Sequence, residues 1–171
     1  RNHARVLADL PGAALVAVAD PGERARATFR PFAGTAVYAD YREMLDKEKP
    51  DCAVVACPSE LHAEVGCDLM NRGVHVLVEK PIAKKIEEAK ELIDTAKRTG
   101  KKLMVGQIER FNPAVQDLKR RVEAKELGQI FQLHARRLSP FPSRIQDVGV
   151  ILDLATHDID AMHFVTGSKV V

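Results

Sequence analysis

The feature that most constrains this chain is the repeated alternation of short apolar runs with stretches of helical spacing. Residues 15–20 (LVAVAD), 36–39 (AVYA), 52–57 (CAVVAC), 75–79 (HVLVE) and 102–108 (KLMVGQI) form the apolar runs. They are short and largely without polar alternation, which reads as strands; 15–20 and 52–57 in particular read as buried on both faces. Residues 22–32, 41–48, 60–71 and 86–98 lie between them with helical character, and 1–10 places Val6, Leu7 and Leu10 on one side. Pro50 stops one helix, and Gly73 and Gly100 sit where a left-handed residue ends the others. A further helix is expected over 113–126, with Pro113 near its first turn. Strands alternating with helices through short loops mean an α/β fold, a doubly wound parallel sheet with helices on both faces.

The pattern changes after Gly128. Residues 129–138 (QIFQLHARRL) alternate in part and read as one long strand of a half-buried antiparallel sheet. A loop with Pro140 and Pro142 follows, and then a helix within 147–165 that carries Asp153, His157 and Asp160. The expected organisation is a first domain over 1–108 and the beginning of an α+β second domain over 109–171. One strand and one helix cannot close a core, so the second domain is expected to be incomplete in these residues.

The charge balance excludes one class of partner. The formal charge is only +2, and acids interleave with the bases, as in KKIEE at 84–88, which reads as a solvated helix face and not a nucleic-acid patch. No apolar run approaches the roughly 20 residues that span a bilayer, and no signal peptide is visible. Cys52, Cys57 and Cys67 have no metal-ligand spacing and read as small buried residues of a cytoplasmic protein. No metal is expected.

Four constellations could carry chemistry. Asp20 ends the run at 15–20; in a doubly wound sheet an acid there binds ribose hydroxyls and disfavours a 2′-phosphate, though an acid at a strand end is more often just a turn residue. Cys57, Pro58, Ser59 and His62 follow the run at 52–57, where ligands bind beyond the carboxyl ends of parallel strands; the plainer reading is strand, Ser59 cap and helix. Glu79, Lys80 and Pro81 end the run at 75–79, where an ammonium can face a bound polar group or simply solvent. Asp153 and His157 stand at i and i+4 on one helix face. A carboxylate beside an imidazole suits proton transfer near neutral pH, and the same spacing also makes an ordinary helix ion pair. His134 is a weaker candidate for a substrate-facing side chain; His3, His75 and His163 read as packing or surface residues.

Together these residues resemble the Gfo/Idh/MocA oxidoreductase family. The tripeptide EKP at 79–81 and the D-x-x-x-H pattern at 153–157 are similar to its two signatures, and residues 1–5 look like those that follow its glycine-rich turn. The resemblance implies a Rossmann-type first domain and a dehydrogenase that transfers hydride between a secondary alcohol of a sugar or nucleotide sugar and NAD, with NADP possible because Arg24 and Arg26 lie near Asp20. It implies catalytic roles for Lys80, Asp153 and His157, and cofactor contacts from Asp20, Cys57, Pro58, His62, Glu79 and Lys80. The segments 107–113 and 140–149 resemble UDP-N-acetylglucosamine 3-dehydrogenases within the family, which implies substrate contacts from Arg110, Asn112, Arg136, Arg137 and Arg144. A homo-oligomer is expected. No G-x-G-x-x-G turn lies within residues 1–20. The first strand and turn are therefore expected upstream of Arg1, and residues 1–171 alone are expected to bind NAD poorly. The alternative reading is a non-catalytic fragment of such an enzyme.

Overall fold

The structure is a computed structural model and describes residues 2–29, 32, 34–136, 138, 149 and 151–168. The chain forms two compact units, Arg1–Val54 and Val55–Val171.

In the first unit, α1 (Asn2–Asp9) leads to β1 (Ala17–Ala19), α2 (Glu23–Ala27), β2 (Ala36–Tyr38) and α3 (Tyr41–Glu48). β1 and β2 pair in parallel, with Ala17 opposite Ala36 and Ala19 opposite Tyr38. The Asp20 amide extends this ladder by donating to the Tyr38 carbonyl at 3.1 Å. α3 begins where Asp40 accepts the Arg42 amide at 2.8 Å, an N-cap that satisfies one of the helix's open donors. Among the described residues of the first unit, Ala4, Phe29 and Leu45 are the buried apolar ones. The residues of β1 are only half-buried, where the sequence read as a strand covered on both faces. A sheet of just two strands covers each of them incompletely.

The second unit is built on β3 (Cys52–Val55), whose last residue opens it, together with β4 (His75–Val78) and β5 (Leu103–Val105) in the order β3-β4-β5. β4 and β5 are parallel, with Val76 opposite Leu103 and Val78 opposite Val105. A 3₁₀ turn (Ser59–Leu61) precedes α4 (His62–Asn71), and α5 (Ile86–Thr99) follows β4. A second 3₁₀ turn (Ile108–Phe111) and α6 (Pro113–Glu123) follow β5. A π-helical turn (Ile151–Ala155) then runs into α7 (Thr156–Thr166).

Val76 and Val78 turn one face of β4 inward, and Met70 and Leu92 are fully buried. α4 and α5 come close because residue 66 is glycine: a Cβ there would stand 2.6 Å from the Leu92 Cδ2. α5 stops at Gly100, whose φ of 68° is the left-handed value that closes a helix.

Further expectations need correction. Cys52, read as a small buried residue, is exposed at the start of β3. The stretch at 60–71 is not one helix, since a 3₁₀ turn takes its start and α4 begins at His62. The long strand over 129–138 does not form: the described residues there have no regular structure, and Phe131 is 87% and Leu138 77% exposed. A strand must place its amides and carbonyls on a neighbour, and no other described strand pairs with this segment.

Candidate active site

The site in the second unit starts from strand register. Because Val78 stands opposite Val105, the next residues, Glu79 and Lys80, emerge beside Gly106 and Gln107 at the carboxyl end of the sheet. The Glu79 amide donates to the Val55 carbonyl at 2.9 Å, and the Gly106 amide to the Val78 carbonyl at 2.8 Å. These bonds carry the sheet to its edge, and the chain then turns out through the cis Lys80–Pro81 peptide. Glu79 folds back so that its Oε2 accepts the Lys80 amide at 3.1 Å. Gly106 makes room for it, since a Cβ there would stand 3.0 Å from that oxygen.

The Lys80 ammonium reaches across to the π turn. It donates to the Asp153 Oδ1 at 2.5 Å and to the Asp153 carbonyl at 3.0 Å. The Asp153 side chain is 9% exposed and that of Lys80 21%, so the pair is screened from water on one side and open on the other. Such a charge-assisted contact fixes the ammonium in direction as well as place. The two sequence motifs therefore meet through these two side chains. Asp153, paired by spacing with His157, faces Lys80. His157 lies one turn further on and is also buried. π turns inside helices occur disproportionately at functional sites, where they re-aim a side chain.

Two loops flank this pair. After β3, Cys57 is half-buried, and burial pushes its thiol above the usual range, so it presents a neutral wall at neutral pH. Pro58 is exposed and occupies the position before the 3₁₀ turn, while Ser59, read as the helix cap, is the first residue of that turn. His62 is 1% exposed. Its Nδ1 lies 2.8 Å from the Pro81 carbonyl and its Nε2 3.0 Å from the Cys57 carbonyl. After β5, the Gln107 Oε1 is buried and has no hydrogen-bond partner among the described residues. A buried acceptor left unmade costs roughly 1–3 kcal/mol, so this oxygen suits a donor from a ligand. Gln107 was not singled out from the sequence as a contact of its own; the signal was its place directly after a strand.

In the first unit, Asp20 follows β1, and its Oδ1 accepts the Gly22 amide at 2.8 Å. A Cβ at residue 22 would crowd that oxygen at 3.1 Å. Arg26 directs one guanidinium nitrogen to the Asp20 and Pro21 carbonyls, each at 2.8 Å.

The residues named for substrate are disposed differently. Arg110 forms a two-pronged ion pair with Asp160 at 2.8 and 2.6 Å, and this hydrogen bonding raises the guanidinium pKa further. Asn112 caps α6, accepting the Ala114 amide at 3.0 Å. Arg136 and His134 are exposed. Arg137 and Arg144 lie outside the described residues. Among the described residues, no group of three His, Cys, Asp or Glu side chains is placed to hold a metal ion, and no helix is long and apolar enough to cross a membrane.

Comparison with known proteins bears on the family and the fold. Residues 1–107 match the Gfo/Idh/MocA oxidoreductase family model, described as an NAD-binding Rossmann fold, and residues 115–171 match a Gfo/Idh/MocA C-terminal domain. Inositol 2-dehydrogenase 2 of Saccharopolyspora erythraea is 30% identical over 99% of this chain and 51% of its own length. UDP-N-acetylglucosamine 3-dehydrogenase of Acidithiobacillus ferrooxidans is 37% identical over 71% of this chain and 37% of its own. The crystal structure of scyllo-inositol dehydrogenase from Lactobacillus casei, with bound NAD(H) and scyllo-inositol, matches with a TM-score of 0.88 over 96% of this chain and 52% of its own. At 24% identity that likeness concerns the fold. The chain spans about half the length of the first of these relatives and less of the second.

Proposed function

The chain belongs to the Gfo/Idh/MocA oxidoreductase family, and from that premise we propose that the whole protein is an NAD-dependent dehydrogenase of a secondary alcohol on a sugar, cyclitol or nucleotide sugar. The observation that carries this is the Lys80 ammonium, held by the Asp153 carboxylate at 2.5 Å beyond the carboxyl end of a parallel strand. Ligands of open α/β sheets bind at that end of the strands.

Each unit, taken by itself, offers groups that suit part of a dinucleotide. Asp20 offers a carboxylate to ribose hydroxyls and would repel a 2′-phosphate. Gln107 offers a buried acceptor to an amide or hydroxyl donor. Cys57, Pro58 and Glu79 bound the sheet end where the nicotinamide would lie. NAD, when bound, accepts the hydride. The rest is the work of side chains. Lys80 donates to the reacting oxygen and stabilises the charge that develops on it. His157 takes the hydroxyl proton as general base. Asp153 holds Lys80 in line. Residues 1–108 serve the cofactor, and 109–171 begin the substrate domain, a division supported by the spans of the two family models.

The substrate class is supported by the relatives, whose names give an inositol and UDP-N-acetylglucosamine as substrates. Arg110 and Asn112 are occupied by Asp160 and by the helix cap, so a diphosphate would rely on Arg136, Arg137 and Arg144. The test is NADH formation by the full-length protein across free sugars, inositols and UDP-sugars. Oxidation of a member of any of these classes supports the reading, and no reduction of NAD by any of them overturns it.

A further inference from the structure

The buried ring of His62 is unusual in what it faces. Both nitrogens meet backbone carbonyls, Pro81 at 2.8 Å and Cys57 at 3.0 Å, and the side chain is 1% exposed. A carbonyl only accepts, and an imidazole in either neutral tautomer carries its hydrogen on one nitrogen, so the ring donates to one of the two carbonyls and sits against the other. The ring has no third polar atom with which to meet a ligand. The two carbonyls belong to different loops: Cys57 follows β3, and Pro81 follows β4 directly after Lys80. One side chain at the start of α4 thus ties together the two loops that bound the sheet end.

We propose that His62 is a positioning residue that fastens the loop after β3 to the Lys80–Pro81 turn, and so aims Lys80 and the Cys57–Pro58 wall, without touching cofactor or substrate itself. This rests on the functional reading above and departs from the sequence expectation of a direct cofactor contact. The alternative anchors for these loops are weaker. The Glu79 amide holds the strand just before the turn, and the Lys84–Glu60 ion pair at 3.0 Å joins the same two segments with Glu60 61% exposed. An exposed pair of this kind contributes little.

The test uses the full-length protein with His62→Ala and His62→Gln. A glutamine amide can donate to one of the two carbonyls but lacks the ring that fills the space between the loops. A purely structural role would lower kcat in step with the folded fraction and leave KM for NAD unchanged. The positioning role raises KM for NAD and lowers kcat per folded molecule by about 10- to 100-fold in His62→Ala, the scale of a small misplacement of a reacting group. His62→Gln falls between, and added imidazole restores part of the His62→Ala loss. Hydrogen exchange supplies a readout that needs no turnover: amides at 57–61 and 79–84 exchange faster in the variants, and those of β5 do not. An unchanged KM with unchanged exchange in both loops overturns the proposal. An inactive wild type whose two loops still loosen in the variants upholds the fastening role and overturns the dehydrogenase reading instead.

Discussion

Lys80 and Asp153 stand 73 positions apart and still meet at 2.5 Å, so each should need the other. Removing one partner of a buried pair strands the remaining charge, at roughly 3–5 kcal/mol when burial is complete. Lys80 keeps 21% exposure, which places this pair at or below the lower figure. Asp153→Ala and Lys80→Ala are each expected to destabilise the full-length protein, and the double variant to lose clearly less than the two combined; chemical denaturation reads the difference. Additive losses would show that the contact contributes nothing. His157→Asn should lower kcat by roughly 10²- to 10⁴-fold with little change in KM, as expected for loss of a general base. At neutral pH, thiol alkylation of the native protein should modify exposed Cys52 well before Cys57, which is half-buried and whose thiol burial pushes above its usual range; equal labelling would place Cys57 elsewhere. Lys80 and Asp153 stood out in the sequence by position, one directly after an apolar run and the other a helical interval from His157, although a solvent-facing turn residue and an ordinary helix ion pair remained open readings. Gln107 and the double contact of His62 did not. Which atoms face each other there depends on strand register and on two loops converging, and neither is written in local spacing.

At the level of elements, periodicity marked the helices and strands well, and α3 over 41–48 falls where the sequence placed it. Boundaries were less legible, since the 3₁₀ turn before α4 and the π turn before α7 differ from an α-helix only in hydrogen-bond spacing. The long strand over 129–138 was misread because strand character is completed by a neighbour, and alternation alone provides none. The α4–α5 contact offers a sharper test. Leu92 is fully buried and cannot yield, so Gly66→Ala should overpack this contact and cost about 1–3 kcal/mol. Thermal unfolding checks it. An unchanged midpoint would mean that α4 and α5 lie further apart than described.

For the molecule as a whole, the decisive properties are the family fold and the chemistry at the sheet end. Asp20 should set a preference for NAD over NADP. Arg26, the near cation that could oppose it, already directs one guanidinium nitrogen to two main-chain carbonyls. Comparable kcat/KM with the two cofactors would remove Asp20 from that role. The most direct test of the central claim is the rate of NADH formation by the full-length protein, wild type against Lys80→Met, with the sugar or cyclitol it oxidises best. In Lys80→Met, kcat/KM is expected to fall by about 10²-fold or more, the scale of losing one preorganised donor to the developing alkoxide, with NAD binding largely kept in calorimetry. A Lys80→Met enzyme that reduces NAD as fast as the wild type would contradict that claim.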